Sequence, residues 1–335
     1  MNRQDALMKN QASSNLLFIS AWVAVLATGF CVKADAATNN LYLATPGSSW
    51  SLEIDASGFT LQQKDLSQDG TAARLMAENK SNGVILSAFL EKAAGPGDAK
   101  ACREYYWKDA QKSPFKKDDI EMSEAGSVAL VEYLVKEHLG IRVNQKNLNA
   151  YLSHNGYWVD VHISMADFKS GDEATLQSIV KSIRFNDSYT PTTIEWATWG
   201  SFFMSKKKYA EAVRCDEKAW EAERSQPTLS RQEQVFLLSD LIDAYGNSGN
   251  IRKAKEFSEL GLQREPAYPK FYYDLACCYA GSGDKVQALA NLKAAFQNKS
   301  KLFSEDTLPD PTTDSSFSKY STDPDFVKFF SGLGK

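Results

Sequence analysis

Small and bulky residues recur together through the carboxy-terminal half of the chain, at spacings that only paired helices satisfy. Trp196-x-x-Trp199-Gly200-x-x-Phe203 is followed by Tyr209-x-x-Ala212 and then Ala219. Leu238-x-x-Leu241-x-x-x-Tyr245 is followed by Gly249, Ile251-x-x-Ala254, Gly261 and Pro266. Tyr272-x-x-Leu275-Ala276-x-x-Tyr279 is followed by Gly283, Ala288 and Ala295. Steps of three and four put each apolar set on one helical face. Alanine and glycine let helices approach closely, and the large rings fill the space between turns. Ala254 and Ala288 are 34 residues apart, whereas Ala212 and Ala254 are 42 apart, so extra residues fall near Pro227–Gln234. One helix pair cannot bury its apolar stripe alone, but about three stacked pairs can. The spacing predicts an all-α solenoid over 190–335, with repeats at 193–226, 235–268 and 269–302.

These motifs resemble the tetratricopeptide repeat (TPR) family, most closely in the first and third repeats. In the second, Ile242 stands where the family has a small residue, which predicts locally spread helices. Asp314-x-x-Phe317-x-x-Tyr320-x-x-Asp323-Pro324-x-Phe326, then Val327, Phe329 and Phe330, predicts a terminal helix that docks its rings on the last repeat and caps the stack. The other reading of that segment is a free aromatic tail acting as a peptide ligand. The resemblance implies a concave groove built from the first helix of each repeat, with a protein or peptide as partner. Helical spacing assigns Ala197, Ser201 and Ser205 to that surface, with Ser239, Asp243 and Asn247, and Lys270, Tyr273 and Cys277. Without a partner they would simply face water. Asp240, Asp243 and Asp274 form a short acidic patch. The groove has no Lys/Arg/Asn cluster, which argues against capture of an acidic carboxy-terminal tail.

Residues 40–188 have a different texture, of short strands and two helices. Ser49–Ile54 alternates apolar and polar, as a half-buried strand does. Further strands are predicted at Phe59–Leu66, Ala72–Glu78, Val84–Leu90, Ile120–Ala125 and Ser127–Glu137. Asp98 is placed to cap a helix reaching about Lys112, where Ser113-Pro114 stops it. A second helix is predicted over Asp172–Ile183. Asn155-Gly156, between alternating runs, is the favoured two-residue hairpin turn. It sets His154 opposite Tyr157, Leu152 opposite Val159 and Ala150 opposite Val161. Leu148, Ala150, Leu152, Tyr157, Val159, Val161 and Ile163 then share the core-facing side. Asn149, Tyr151, Ser153, Trp158, Asp160 and His162 share the other side, which is either solvated or covered by a loop or helix. Tyr151, Trp158 and His162 make it a candidate face for a small molecule or lipid. His154 and His162 lie on opposite faces and cannot jointly hold one ion.

The run Trp50–Phe59, the hairpin Asn149–Ile163 and the helix Leu176–Phe185 resemble the PsbP-like fold. That resemblance implies an antiparallel sheet with helices packed on it, an α+β domain preceding the TPR solenoid. It also implies protein binding or assembly assistance, with no common catalytic set.

Ahead of both domains, Arg3 and Lys9 precede an apolar run of 17 residues, Leu16–Val32, followed by Lys33-Ala34-Asp35-Ala36. Basic start, apolar stretch and small-x-small site are the parts of a secretory signal peptide, here residues 1–36. The run is short for a bilayer span of about 20 residues, though an uncleaved anchor over 16–32 is the alternative. The protein is therefore expected to be exported, periplasmic or secreted, unless anchored by that run. Bulky Phe30 before Cys31 argues against lipoprotein processing. Lys plus Arg total 38 against 42 Asp plus Glu, a net charge of −4 with no large positive field for nucleic acid. Cys102, Cys215, Cys277 and Cys278 are expected to be buried free thiols, because a bridge between neighbours in a helix is strained.

Motifs for catalysis or cofactors do not emerge. G-x-S-x-G, GxxxxGK[ST], HExxH and CxxC are all missing from the sequence. Asp118-Asp119 sits in the charge cluster Lys116-Lys117-Asp118-Asp119, which suits a solvated turn. The expectation is an exported, non-enzymatic scaffold or assembly factor, without cofactor or metal, that binds partners through the groove. A small-molecule or lipid binder is the alternative, and a hydrolase using His138 or His154 is a third reading.

Overall fold

A computed structural model describes residues 40–304 and 306–333. The signal peptide expected over 1–36 and the anchor over 16–32 lie outside the described residues. The chain divides between Thr190 and Pro191 into two compact units.

In chain order the first unit begins β1 (Asn40–Leu43), β2 (Ser51–Asp55), β3 (Thr60–Leu66), β4 (Ala72–Asn79) and β5 (Val84–Lys92). It continues α1 (Ala99–Ala110), β6 (Asp118–Ala125), β7 (Val128–His138), β8 (Ile141–His154) and β9 (Tyr157–Met165). It ends α2 (Glu173–Ser182) and β10 (Arg184–Asn186). Seven strands form an antiparallel sheet ordered β3-β4-β5-β9-β8-β7-β6, and three form a small antiparallel sheet ordered β1-β2-β10.

The central hairpin has the register set by its turn. Asn155 and Gly156 both take positive φ, at +47° and +78°, and His154, Leu152 and Ala150 pair with Tyr157, Val159 and Val161. The inner face of this sheet packs Leu86, Leu90, Leu148, Val159 and Ile163 against Leu52 and Ile54 of β2 and against Leu176, Ile179 and Val180 of α2. Trp50 closes one end, edge-on to Tyr157 and Phe185.

Three features depart from expectation. The helix that the PsbP-like resemblance carries on to Phe185 stops at Ser182, one residue short of the predicted Ile183, and Arg184–Asn186 pairs instead with β2. Pairing there satisfies the backbone of β2 on the edge that β1 leaves open, and Arg184 reaches Glu53 at 2.6 Å. β1 itself is an additional strand. The third feature is β8, which starts at Ile141, because Leu139 and Gly140 make a second two-residue turn with φ of +50° and +79°. Leucine is a poor turn residue, and Leu139 is left 87% exposed.

The second unit is a run of helices: α3 (Thr193–Ser205), α4 (Tyr209–Ser225), α5 (Arg231–Asn247), α6 (Ile251–Arg264), α7 (Pro269–Ser282) and α8 (Lys285–Gln297). Within each pair, α3–α4, α5–α6 and α7–α8, the connection is so short that the second helix must fold back on the first. Consecutive helices pack on one another, and α5 touches both α3 and α7. An antiparallel sheet unit is thus followed by a solenoid-like stack of helix pairs, the fold class the sequence predicts.

Side chains set the spacing. Ala212, Ala219, Ala254, Ala276, Ala288 and Ala295 are all buried. Ile242 is buried with Ala254 and Leu238 in one cluster. The extra residues near Pro227–Gln234 do not form a long loop. Their second half joins the start of α5, which begins at Arg231 rather than 235 and is 17 residues long. Ser230 and Glu233 form a capping box there. Buried Glu223 locks the connection by accepting the backbone N–H groups of Thr228 and Leu229, at 2.9 and 3.2 Å, and the Gln234 amide at 2.9 Å.

The predicted terminal helix is split by Asp323-Pro324 into a 3-10 turn, Ser315–Tyr320, and α9 (Pro324–Gly332). Its rings dock: Phe317 and Phe326 are fully buried beside Ala276, Ala288 and Leu292. The free-tail reading therefore does not describe this state.

Gly261 and Gly246 make opposite predictions. A Cβ on Gly261 would stand 2.7 Å from the Phe271 ring, whereas one on Gly246 meets nothing within 4 Å. Gly261→Ala should destabilise the chain by about 1–3 kcal/mol. Gly246→Ala should be neutral or stabilising by up to about 1 kcal/mol. Thermal unfolding followed by circular dichroism checks both, and equal shifts would refute the packing argument.

Candidate functional site

In the first unit the outer face of β8 and β9 is covered. Asp98 caps α1 through the backbone N–H groups of Lys100 and Ala101, and the helix lies across β7, β8 and β9. Cys102, Trp107, Tyr151 and Trp158 share one cluster beneath it. Tyr106 stacks on Tyr151 with ring centroids 6.3 Å apart, and Tyr105 meets Trp158 at 5.2 Å. Tyr151 and Trp158 are only 0% and 4% exposed, so the expected small-molecule or lipid face is a sheet–helix interface instead. The covering helix comes from a segment far away in sequence, so the hairpin alone could not reveal it.

His162, the third member of that face, remains partly accessible, with Nε2 3.1 Å from Asn147 Oδ1. Burial pushes its imidazole down to about 4. Burial also pushes neighbouring Asp160 up to about 6, opposed by the Asn149 amide at 3.0 Å. The other histidines lie elsewhere. His154 stacks on Phe185 at 4.2 Å and meets Asp187 at 2.7 Å, and His138 packs on Phe115. Asp118 and Asp119 pair with Lys116 and Lys136 at the surface. Among the described residues no group of three His, Cys, Asp or Glu side chains is arranged to hold a metal ion. Cys102, Cys215 and Cys278 are buried free thiols and Cys277 is a half-buried one.

In the second unit, polar groups of α3, α5 and α7 converge. Ser201 of α3 donates to Asp240 of α5 at 2.6 Å. Lys270 of α7 reaches Asp243 of α5 at 3.7 Å, a loose pairing. Asp274 of α7 is 6% exposed, and its Oδ2 has no hydrogen-bond partner. The segment after α8 supplies the rest of the site by tracking the length of α7. Phe303 packs on Tyr268 at the start of α7 and on Phe236 of α5. Tyr268 donates to Asp306 at 2.5 Å, and Tyr273 donates to Asp314 at 2.8 Å. Lys285, just past the end of α7, holds Asp323 at 2.7 Å.

The electrostatics are one-sided. Burial pushes the carboxyls of Asp240, Asp243 and Asp274 above their usual range. Burial disfavours the Lys270 charge, but Asp243, Asp274, Asp240 and Asp306 outweigh it and hold the ammonium above its usual value. Asp243 nevertheless has a side chain 42% exposed, so the cluster opens to solvent there. Behind it, Asp216 of α4 is fully buried against Gly200, with neither carboxylate oxygen hydrogen-bonded. Burial, then the nearby Asp240 charge, pushes Asp216 up to about 9.

Of the residues assigned to the groove, Ser201, Asp243, Lys270, Tyr273 and Cys277 meet around this cluster. The Cys277 thiol lies 3.8 Å from Asp314, and burial raises it well above the usual thiol range. Ala197 and Ser239 are instead buried in helix packing, and Tyr273 is covered by the segment that carries Asp314 and Phe317. Ser205 and Asn247 are exposed, the latter with its amide on the Asp243 carbonyl. Asp216, Phe236 and Asp306 were not anticipated, and Asp314 reads in the sequence as the start of the terminal cap rather than as a groove residue. Asp306 belongs to no spaced motif, so no spacing argument reaches it.

No protein-family profile matches the chain. No curated protein matches it by sequence. Among solved structures, the chain is similar to the Sgt2 TPR domain from Aspergillus fumigatus, at 18% identity and a TM-score of 0.31. That match covers 44% of this chain and 84% of the other. It is also similar to a structure from Bacteroides thetaiotaomicron, at 10% identity and a TM-score of 0.32, over 63% of this chain and 79% of that one.

Asp216 generates a pH-dependent prediction. The folded chain keeps its proton to about pH 9, whereas an unfolded chain releases it near pH 4. The folded state thus binds the extra proton across that window and loses stability as pH rises through it. Asp216→Asn should flatten this slope, raising Tm by roughly 5 °C near pH 8.5 and by little near pH 4.5. Identical Tm–pH slopes for the two proteins would refute a buried, protonated Asp216.

Proposed function

We propose that the protein is a non-enzymatic scaffold or assembly factor that takes a protein or peptide partner in the groove lined by α3, α5 and α7. The observation that carries this reading is how the described residues that follow α8, 303–304 and 306–314, lie along α7: Phe303 packs on Tyr268, Tyr268 donates to Asp306 and Tyr273 donates to Asp314. A surface that seats one extended chain in this way suits a second. The stack has the helix pairing of three TPR repeats, which supports the same role. For the first unit, an antiparallel sheet with α1 on one face and α2 with the small sheet on the other supports a PsbP-like reading.

Export is part of the proposal. It rests on Arg3, Lys9, the apolar run Leu16–Val32 and the Ala34-x-Ala36 site. If the segment is a cleaved signal, amino-terminal sequencing of the exported protein should start at Ala37. A chain that retains Leu16–Val32 in the membrane fraction would make it an anchor instead.

A random peptide library panned against the full chain tests the groove. Enriched peptides should bind Ser201→Arg about tenfold more weakly or worse, and should bind Glu259→Gln, on the exposed side of α6, unchanged. Circular dichroism confirms that both variants fold. Peptides indifferent to Ser201→Arg would rule out the groove as the partner site.

A further inference from the structure

The groove is acidic far beyond what its own cations balance. Asp240 and Asp243 come from α5, Asp274 from α7, and Asp306 and Asp314 from the segment along α7. The cation placed among them is Lys270, and it sits 3.7 Å from Asp243, too far for a close ion pair. Hydrogen bonds satisfy some of these carboxylates: Ser201 serves Asp240, Tyr268 serves Asp306 and Tyr273 serves Asp314. Asp274 Oδ2 is different. It is buried, has no partner, and lies among the charges of Asp243, Lys270, Asp306 and Asp314. A buried carboxylate oxygen left without a donor is costly unless something supplies one.

We propose that the groove binds a basic peptide segment, with an Arg or Lys side chain of the partner seated between Asp243 and Asp274 and further cations along Asp240, Asp306 and Asp314. This deepens the scaffold reading and rests on it. Three observations select the occupant. The charge is complementary to a cation and hostile to an acidic or phosphorylated segment. A guanidinium presents several donors, one of which can serve Asp274 Oδ2, the oxygen of this cluster left without one. The described carboxylates are not grouped as a metal site would require, so an extended row of cations matches them better than one ion. Beside the row, the Arg231 guanidinium already faces the Phe303 ring at 5.7 Å, which shows a long basic side chain lying against this aromatic edge.

Lys270 acts as the groove's own counter-ion. Its ammonium takes up part of the field that the partner's cation would otherwise meet. Removing that charge should therefore favour the partner, the opposite of what loss of a contact residue does.

Fluorescence anisotropy on the full chain tests this with a labelled peptide of about ten residues, alternating Arg and Ser. The controls are its Gln-for-Arg and Glu-for-Arg counterparts. The Arg peptide should bind, and the counterparts should bind at least about tenfold more weakly. Asp243→Asn and Asp240→Asn, both of which keep side-chain shape, should each weaken the Arg peptide about tenfold. Lys270→Gln should tighten it about three- to tenfold. Glu221→Gln and Glu259→Gln, on exposed outer positions of α4 and α6, should leave it unchanged. Equal binding of the Arg and Gln peptides would overturn the proposal, as would equal losses in the groove and outer variants. Calcium alone binding in a manner abolished by Asp243→Asn would reassign the site to a metal and overturn it too. Library peptides that respond to Ser201→Arg but carry no Arg or Lys would overturn the basic partner while keeping the scaffold. Library peptides indifferent to Ser201→Arg, with an Arg peptide indifferent to Asp243→Asn, would remove both.

Discussion

At Gly261 an added Cβ would stand 2.7 Å from the Phe271 ring, and at Gly200 it would fall 1.7 Å from the Asp216 carboxylate. At these two points the backbones of α3 and α6 thus approach a neighbouring side chain as closely as a residue without a side chain allows. Ala212, Ala254, Ala276, Ala288 and Ala295 extend the same principle to other contacts. This closeness brings α3, α5 and α7 within reach of one another. Ser201 can then meet Asp240, and Lys270 can meet the acids of α5. The groove is a product of backbone proximity, and its chemistry follows from which side chains that proximity leaves on one side.

Proximity also concentrates like charge. Burial disfavours ionised carboxylates, and neighbouring carboxylates disfavour them further. Asp216, Asp240, Asp243 and Asp274 are all shifted in the same direction. A chain selected for stability alone would fill these positions with apolar or neutral residues. Local rules are broken most where a protein does something other than hold itself together. The first unit has milder exceptions of this kind in Asp160 and His162, each shifted toward neutrality by burial.

Local chemistry was legible in the sequence, and long-range covering was not. Asn155-Gly156 announces its own backbone angles, so the whole β8–β9 register could be stated in advance. Leu139-Gly140 makes an equivalent turn with a residue that rarely chooses one, and it went unseen. The short strand Arg184–Asn186 that follows α2 depends on β2, more than a hundred residues earlier, offering an open edge. Tyr151 and Trp158 look like a surface until α1 is laid over them. In the second unit, three- and four-residue spacing identified the helices and the acidic positions Asp240, Asp243 and Asp274. It could not separate Ala197 and Ser239, which point into packing, from Ser201, which points out of it, because they lie one helical turn or less from the boundary. Asp306 belongs to no spaced motif and Asp314 was legible only as the start of the terminal cap, so the docking of Phe303 and Phe317 is what places both acids beside α7.

The wall of the groove that carries Asp306 and Asp314 lies after every helix of the stack in chain order. A ribosome therefore releases α3, α5 and α7 before it has made the residues that complete the cleft between them. The nascent stack has an unfinished cleft, lacking two of its acids and its aromatic end-piece. The cleft is finished only when Phe303, Phe317 and Phe326 have been synthesised and docked. The order of synthesis thus delays completion of the site until its own carboxy-terminal stretch is in place.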